Sequence, residues 1–155
     1  MNSNPNLRIH PNCPNKKLLY PQLSYKITGL LFKTNKELGR FCREKQYGDL
    51  FEKLLNENKL IYEREFIITK RKPESPKGNR IDFLLENVII IEFKNKNFIT
   101  KDDYIQMQRY LECSGIELGI IVNFRNIYLK PKRILNYKLF KNSDHSDVHS
   151  NHSDC

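Results

Sequence analysis

Two apolar runs stand out along the chain. Val88-Ile89-Ile90-Ile91 and Leu118-Gly119-Ile120-Ile121-Val122 are hydrophobic without alternation, the pattern of strands covered on both faces. Residues Leu60 to Arg71 instead alternate, with Tyr62, Arg64, Phe66 and Ile68 on one face and Glu63, Glu65 and Ile67 on the other, which predicts a long half-exposed strand. Helical spacing takes over elsewhere. Ile27, Leu30 and Leu31 predict a helix that Leu38-Gly39 closes, and Tyr47, Leu50 or Phe51, Leu54 and Leu55 predict a second, with Glu44 on the same apolar face. After Thr100, a candidate cap followed by Asp102 and Asp103, the stripe Tyr104, Met107, Tyr110 and Leu111 predicts a third helix that Gly115 ends. Arg133 to Leu139 reads as an edge strand or a short tail element.

The two ends of this 155-residue chain lack such patterns. Residues 1–21 form an Asn/Pro-rich arm expected to be disordered, and residues 142–155 form a degenerate Ser/Asp/His tail that holds three of the four histidines without a scaffold to fix them. One domain is expected between them, over 22–141. Cys13, Cys42, Cys113 and Cys155 have neither zinc-finger spacing nor a disulfide pattern, and no run approaches the ~18 apolar residues of a membrane span. A cytoplasmic protein with no membrane segment is expected. The arm carries three basic residues and no acid, the tail three acids and no Lys or Arg, so the net charge of +9 belongs wholly to the central domain. A polyanion such as nucleic acid is the natural partner for that excess. General Lys-rich basicity is the plainer alternative.

Chemistry concentrates between Arg80 and Lys94. Glu92 and Lys94 flank Phe93 at the end of the most apolar run, so alternation puts a carboxylate and an ammonium on one side of a dry strand, and Asp82 precedes them by a hairpin's length. A solvated surface pair would be the bland reading. Two carboxylates with a lysine are also what a hydrolytic metal site needs, the acids holding a hard cation through oxygen and the lysine attending the water. Asp82 with Glu92-x-Lys94 resembles the signature of the PD-(D/E)XK nuclease superfamily, with Ile81 where the name-giving proline stands. Leu38-Gly39, Glu44 and Tyr47 resemble the Gly-rich turn and Glu-x-x-Tyr of its GxxExxY family, with Phe41 in place of the glycine three residues before the glutamate. Gln106 to Leu111 and Leu118 to Phe124 resemble the family's following helix and strand.

The resemblance, over about Leu23 to Leu135, implies an α/β restriction-endonuclease-like core: a mixed four-stranded sheet, an antiparallel meander plus one added strand, flanked by helices. It implies Asp82, Glu92 and Glu44 as ligands of magnesium or manganese, and Asp82, Glu92, Lys94, Gln106 and Glu44 as the catalytic set for hydrolysing phosphodiester bonds in DNA or RNA. A basic nuclease-like core that binds nucleic acid or a protein without cutting it is the alternative. The loop before Asp82 supplies Lys70, Arg71, Lys72, Lys77 and Arg80 as candidate phosphate contacts.

One geometric demand follows from parity. Residues opposed across an antiparallel hairpin share a face, so Asp82 and Glu92 oppose each other only across an odd connection. A two-residue turn at Glu86-Asn87 would place them on opposite faces. A three-residue connection, Glu86-Asn87-Val88, with Asn87 or its neighbour left-handed, or else a β-bulge, is therefore expected.

Overall fold

The computed structural model describes residues 19–68 and 79–143. Helix α1 (Pro21–Leu38) starts on a proline, whose fixed φ suits the first helical position. It ends at Gly39, with φ 72° and ψ −158°, a conformation open almost only to glycine. Helix α2 (Glu44–Glu57) follows, then strands β1 (Tyr62–Ile67), β2 (Arg80–Leu85) and β3 (Ile89–Lys94), helix α3 (Lys101–Ser114), strands β4 (Leu118–Asn123) and β5 (Lys132–Leu135), and helix α4 (Tyr137–Ser143).

The sheet runs β1-β2-β3-β4-β5. Its first three strands form the expected antiparallel meander, β4 joins β3 in parallel across α3, and β5 pairs antiparallel with β4. The sheet therefore has five strands, not four: Lys132–Leu135 takes the edge-strand alternative and closes the otherwise open side of β4. Tyr20 Oη donates to Glu117 Oε2 at 2.8 Å and Arg133 Nη2 donates to the Leu19 carbonyl at 2.8 Å, which ties the start of α1 to the β4–β5 end.

Two apolar layers cover the sheet. Ile27, Leu31, Tyr47, Phe51 and Leu55 from α1 and α2 pack on Phe83, Ile89, Ile91, Phe93 and Val122. Met107, Tyr110 and Leu111 from α3 pack on Leu84, Ile90 and Ile121 of the other face. A Cβ at Gly119 would collide with the Met107 side chain, so α3 lies directly against the β4 backbone. No helix among the described residues is long and apolar enough to cross a membrane.

The alternation expected over Leu60 to Arg71 breaks. Regular strand covers only Tyr62–Ile67, and Glu65 has φ 52°. Before it, Tyr62 and Arg64 lie over Phe83 on the α1/α2 face, whereas Phe66 and Ile68 belong to the α3-side core. A left-handed residue shifts the phase of the pleat, which is why the period-2 reading fails past that point.

Candidate active site

The hairpin joining β2 to β3 sets the site. Leu85 pairs with Ile89, Leu84 with Ile90 and Phe83 with Ile91, so the connection is Glu86-Asn87-Val88, with Glu86 at φ 49° and Asn87 at φ 57°. The three-residue turn that parity demanded is present, and this register carries Asp82 opposite Glu92. Regular pairing stops just before them. Phe93 N–H donates at 2.7 Å to Asp82 Oδ2, and the Asp82 N–H supports the Glu92 carboxylate in turn. Where the ladder opens, the Asp82 carboxylate takes the place of a backbone carbonyl.

Glu92 is 7% exposed. Burial first, and then the charge of Asp82, push its carboxyl up to about 7. Asp82 is also raised, by burial against the opposing pull of the Phe93 N–H and Lys94. Burial disfavours the Lys94 ammonium, yet Glu92, its hydrogen bond and Asp103 hold it above the ordinary lysine range. Lys94 Nζ donates at 3.1 Å to Glu92 Oε1 and at 3.1 Å to Gln106 Oε1, while Gln106 Nε2 donates at 2.8 Å to Tyr110 Oη. Gln108 points elsewhere, donating at 2.6 Å to the Leu135 carbonyl.

Three residues that sequence reasoning did not assign to the site help to build it. Tyr110 anchors Gln106 from one turn further along α3. Asp103 closes the helix start through the Thr100 N–H at 2.7 Å, bonds Lys96 Nζ at 2.5 Å and lies 3.9 Å from Lys94 Nζ. Asn123 pins the strand end, accepting from Lys96 N–H at 3.1 Å and donating to the Lys96 carbonyl at 2.7 Å. The i,i+4 spacing of Gln106 and Tyr110 was the one available signal.

Glu44 opens α2, solvent-accessible and at the mouth of the site. The expectation of a carboxylate aimed at the core is corrected: the apolar face begins at Tyr47, and Glu44 stands one turn outside it. Partial burial and the Asp82 charge raise its carboxyl, against Lys94 and the Asn95 backbone N–H. Its turn is held by Tyr47, whose Oη donates at 2.6 Å to the Gly39 carbonyl and accepts from Cys42 N–H at 3.2 Å, while its ring stacks on Phe124 at 4.0 Å. Arg43 N–H donates to Gln46 Oε1 at 2.9 Å, and Asn95 Nδ2 donates to the Cys42 carbonyl at 2.6 Å. Phe41 needs no positive φ; Gly39 alone supplies that freedom in the turn.

A cleft of about 570 Å³ on the α2 side is lined by Glu44, Asp49, Arg64, Glu65, Arg80, Asp82 and Phe93, among others. Glu92, Lys94 and Gln106 approach Asp82 from the α3 side and do not line it. Arg80 is exposed, 3.8 Å from Glu65; Lys70, Arg71, Lys72 and Lys77 lie outside the described residues.

The donor set suits a hard cation. Glu92 Oε2 is buried without a hydrogen-bond partner beside a second carboxylate, an arrangement that a divalent ion bound through oxygen would satisfy. Among the described residues no three acids, histidines or cysteines are already gathered around one point; Glu44 shares the cleft with Asp82, whose charge raises its carboxyl, and Glu92 does not line it.

No curated protein and no solved structure matches the chain. A family model described as the PD-(D/E)XK nuclease superfamily matches residues 21–134, from the first residue of α1 to the penultimate residue of β5. With its meander, added parallel strand and helix-covered sheet, and with Asp82, Glu92 and Lys94 together at the split between β2 and β3, the chain belongs to the PD-(D/E)XK nuclease superfamily.

Proposed function

We propose that this protein is a metal-dependent phosphodiesterase acting on DNA or RNA. The observation that carries this reading is Glu92 Oε2, a buried carboxylate oxygen left without a partner next to Asp82. Asp82 and Glu92 would hold magnesium or manganese, with Glu44 reaching it through water from the cleft mouth. Such an ion supplies charge neutralisation at the scissile phosphate and an acidified water.

The chain's own residues do the positioning. Two of the three Lys94 N–H donors are committed, to Glu92 Oε1 and Gln106 Oε1, which leaves one for a phosphate oxygen or the attacking water. Gln106, itself held by Tyr110, fixes the direction of that remaining donor. Asp103 is bonded to Lys96 and offers Lys94 only a longer contact, so Lys94 stays directed at Glu92. The expected product has a 5'-phosphate and a 3'-hydroxyl. Within the superfamily we assign the chain to the GxxExxY family, because Gly39, Glu44 and Tyr47 each have a task in one turn: backbone freedom, a carboxylate at the cleft, and the clasp that fixes it.

Non-catalytic binding of nucleic acid or of a protein is the second reading, and Glu92 standing outside the open cleft that Asp82 and Glu44 line favours it. Labelled single-stranded, duplex and structured DNA and RNA, incubated with magnesium, manganese or EDTA, separate the two. Cleavage is expected with either metal, none in EDTA, and with Lys94→Ala a rate lower by about 10²- to 10³-fold. Retention of the substrate without cleavage under every condition would refute catalysis.

A further inference from the structure

A second cleft, of about 550 Å³, differs from the first in its chemistry. Arg40, Arg125 and Lys130 line it together with Phe41, Ile127 and Tyr128, and no acid is among its lining residues. The first cleft includes Glu44, Asp49, Glu65 and Asp82. The turn from Gly39 to Arg43 links their walls along the chain: Arg40 and Phe41 line one, Glu44 and Lys45 the other. Phe124 N–H bonds the Lys94 carbonyl at 3.0 Å, so Arg125 emerges directly beyond the end of the catalytic strand.

The aromatic groups in this cleft are open. Phe41 is 75% exposed and Tyr128 77%, far more than folding alone requires of two large rings. The guanidiniums of Arg40 and Arg125 each lie 5.2 Å from the Phe41 ring centroid, and Arg40 Nε donates to the Arg125 carbonyl at 2.9 Å. Two planar cations held about the Phe41 ring, with Tyr128 in the same cleft, therefore sit at the surface. Rings and guanidinium planes stack on unpaired bases, and clustered cations hold a phosphate backbone; a duplex keeps its bases stacked on each other and could use only the cations.

We infer that this cleft binds an unpaired stretch of nucleic acid next to the scissile phosphate, so that the protein acts on single strands or on junctions with a single-stranded flank. The inference rests on the phosphodiesterase reading for its place in a reaction, but its binding test does not. Anisotropy of fluorescent single-stranded and duplex 12-mers, DNA and RNA, is measured in EDTA with the full chain. Wild type should bind the single strands more tightly. Phe41→Ala with Tyr128→Ala should weaken single-strand affinity about tenfold or more and duplex affinity little, since each stacked base is worth a large factor in binding. Phe41→Trp with Tyr128→Trp should retain it. Unchanged single-strand affinity in the alanine variant, an equal loss for duplex, or a tryptophan variant as weak as the alanine one would each overturn the inference. Hydrolysis of bis(p-nitrophenyl) phosphate, too small to span both clefts, reads the phosphodiesterase site of wild type separately. Its absence from wild type would count against the phosphodiesterase reading and leave the binding comparison to decide this one.

Discussion

Replacing Glu92 by Gln should stabilise the metal-free protein at neutral pH, although it removes a residue central to the site. Glu92 is almost fully buried and its carboxyl is pushed from the ordinary value of 4.5 up to about 7, by burial and then by Asp82. Between those values the folded protein keeps a proton that the unfolded chain has released. Stability therefore falls as pH rises through the window, with no contribution below about 4.5 and the full cost above about 7. At about 1.4 kcal/mol per pH unit, the ionised carboxylate costs on the order of 3 kcal/mol. Gln is nearly isosteric, keeps an oxygen for Lys94 Nζ and carries no charge. Relative to wild type, Glu92→Gln should then gain about 2 to 3 kcal/mol between pH 5 and pH 8, measured by urea unfolding in EDTA. Magnesium should raise the stability of wild type at pH 8 and leave the variant unchanged. A stability difference that is the same at both pH values would refute the reasoning, because it would mean that Lys94 fully offsets the desolvation of Glu92.

The other expectations concern the groups around it. Lys94→Ala should lower the initial rate of cleavage by about 10²- to 10³-fold, the scale of losing one charge-stabilising donor. Gln106→Ala should lower the rate about tenfold by releasing Lys94, whereas Gln108→Ala should leave the rate unchanged and cost about 1 kcal/mol through the unpaired Leu135 carbonyl, as chemical denaturation would report. Tyr47→Phe leaves Gly39 C=O and Cys42 N–H without their partner and should cost about 1 to 3 kcal/mol, read by the same denaturation, together with weaker magnesium binding in calorimetric titration as Glu44 loses its fixed turn.

Much of this was readable from the chain, for identifiable reasons. The buried strands announced themselves as unbroken aliphatic runs, and the connection at Glu86-Asn87-Val88 followed from parity once Asp82 and Glu92 were required to face each other. Gly39 was readable because no other residue suits its conformation. What failed rests on long-range effects. Nothing local marks Glu65 as left-handed, since glutamate has no preference for positive φ, so the long alternating strand was drawn through a point where its phase shifts. Glu44 lies at helical spacing from Tyr47, but at the first residue of α2 the helix emerges from the core and the spacing no longer implies burial. Strand β5 has only Ile134 buried, too little pattern to separate an edge strand from a tail. Asn123 and Asp103 look like ordinary polar residues until the crossover brings Lys94 and Lys96 beside them.

The shift in phase at Glu65 has a counterpart in β2 that bears on how the site works. Phe83 and Leu85 belong to the α1/α2 core and Leu84 to the α3 core, as alternation requires, yet Ile81 lies in the α3 core, where alternation would put it with Phe83. The slip falls at Asp82, opposite the break in β1, where Arg64 pairs with Phe83 and Phe66 with Ile81. A regular strand would commit Asp82 to one face. At the slip it lines the cleft of the α2 side with Glu44 and Phe93, while its N–H supports Glu92, which projects towards α3 with Lys94. The left-handed Glu65, a conformation costing on the order of 1 kcal/mol, is thus tied to the one position that must serve both faces. On the proposed phosphodiesterase reading, Glu92 and Lys94 would stay in the dry interior, oriented by Gln106, while a phosphate approached from the open cleft, because Asp82 is the carboxylate that both sides share.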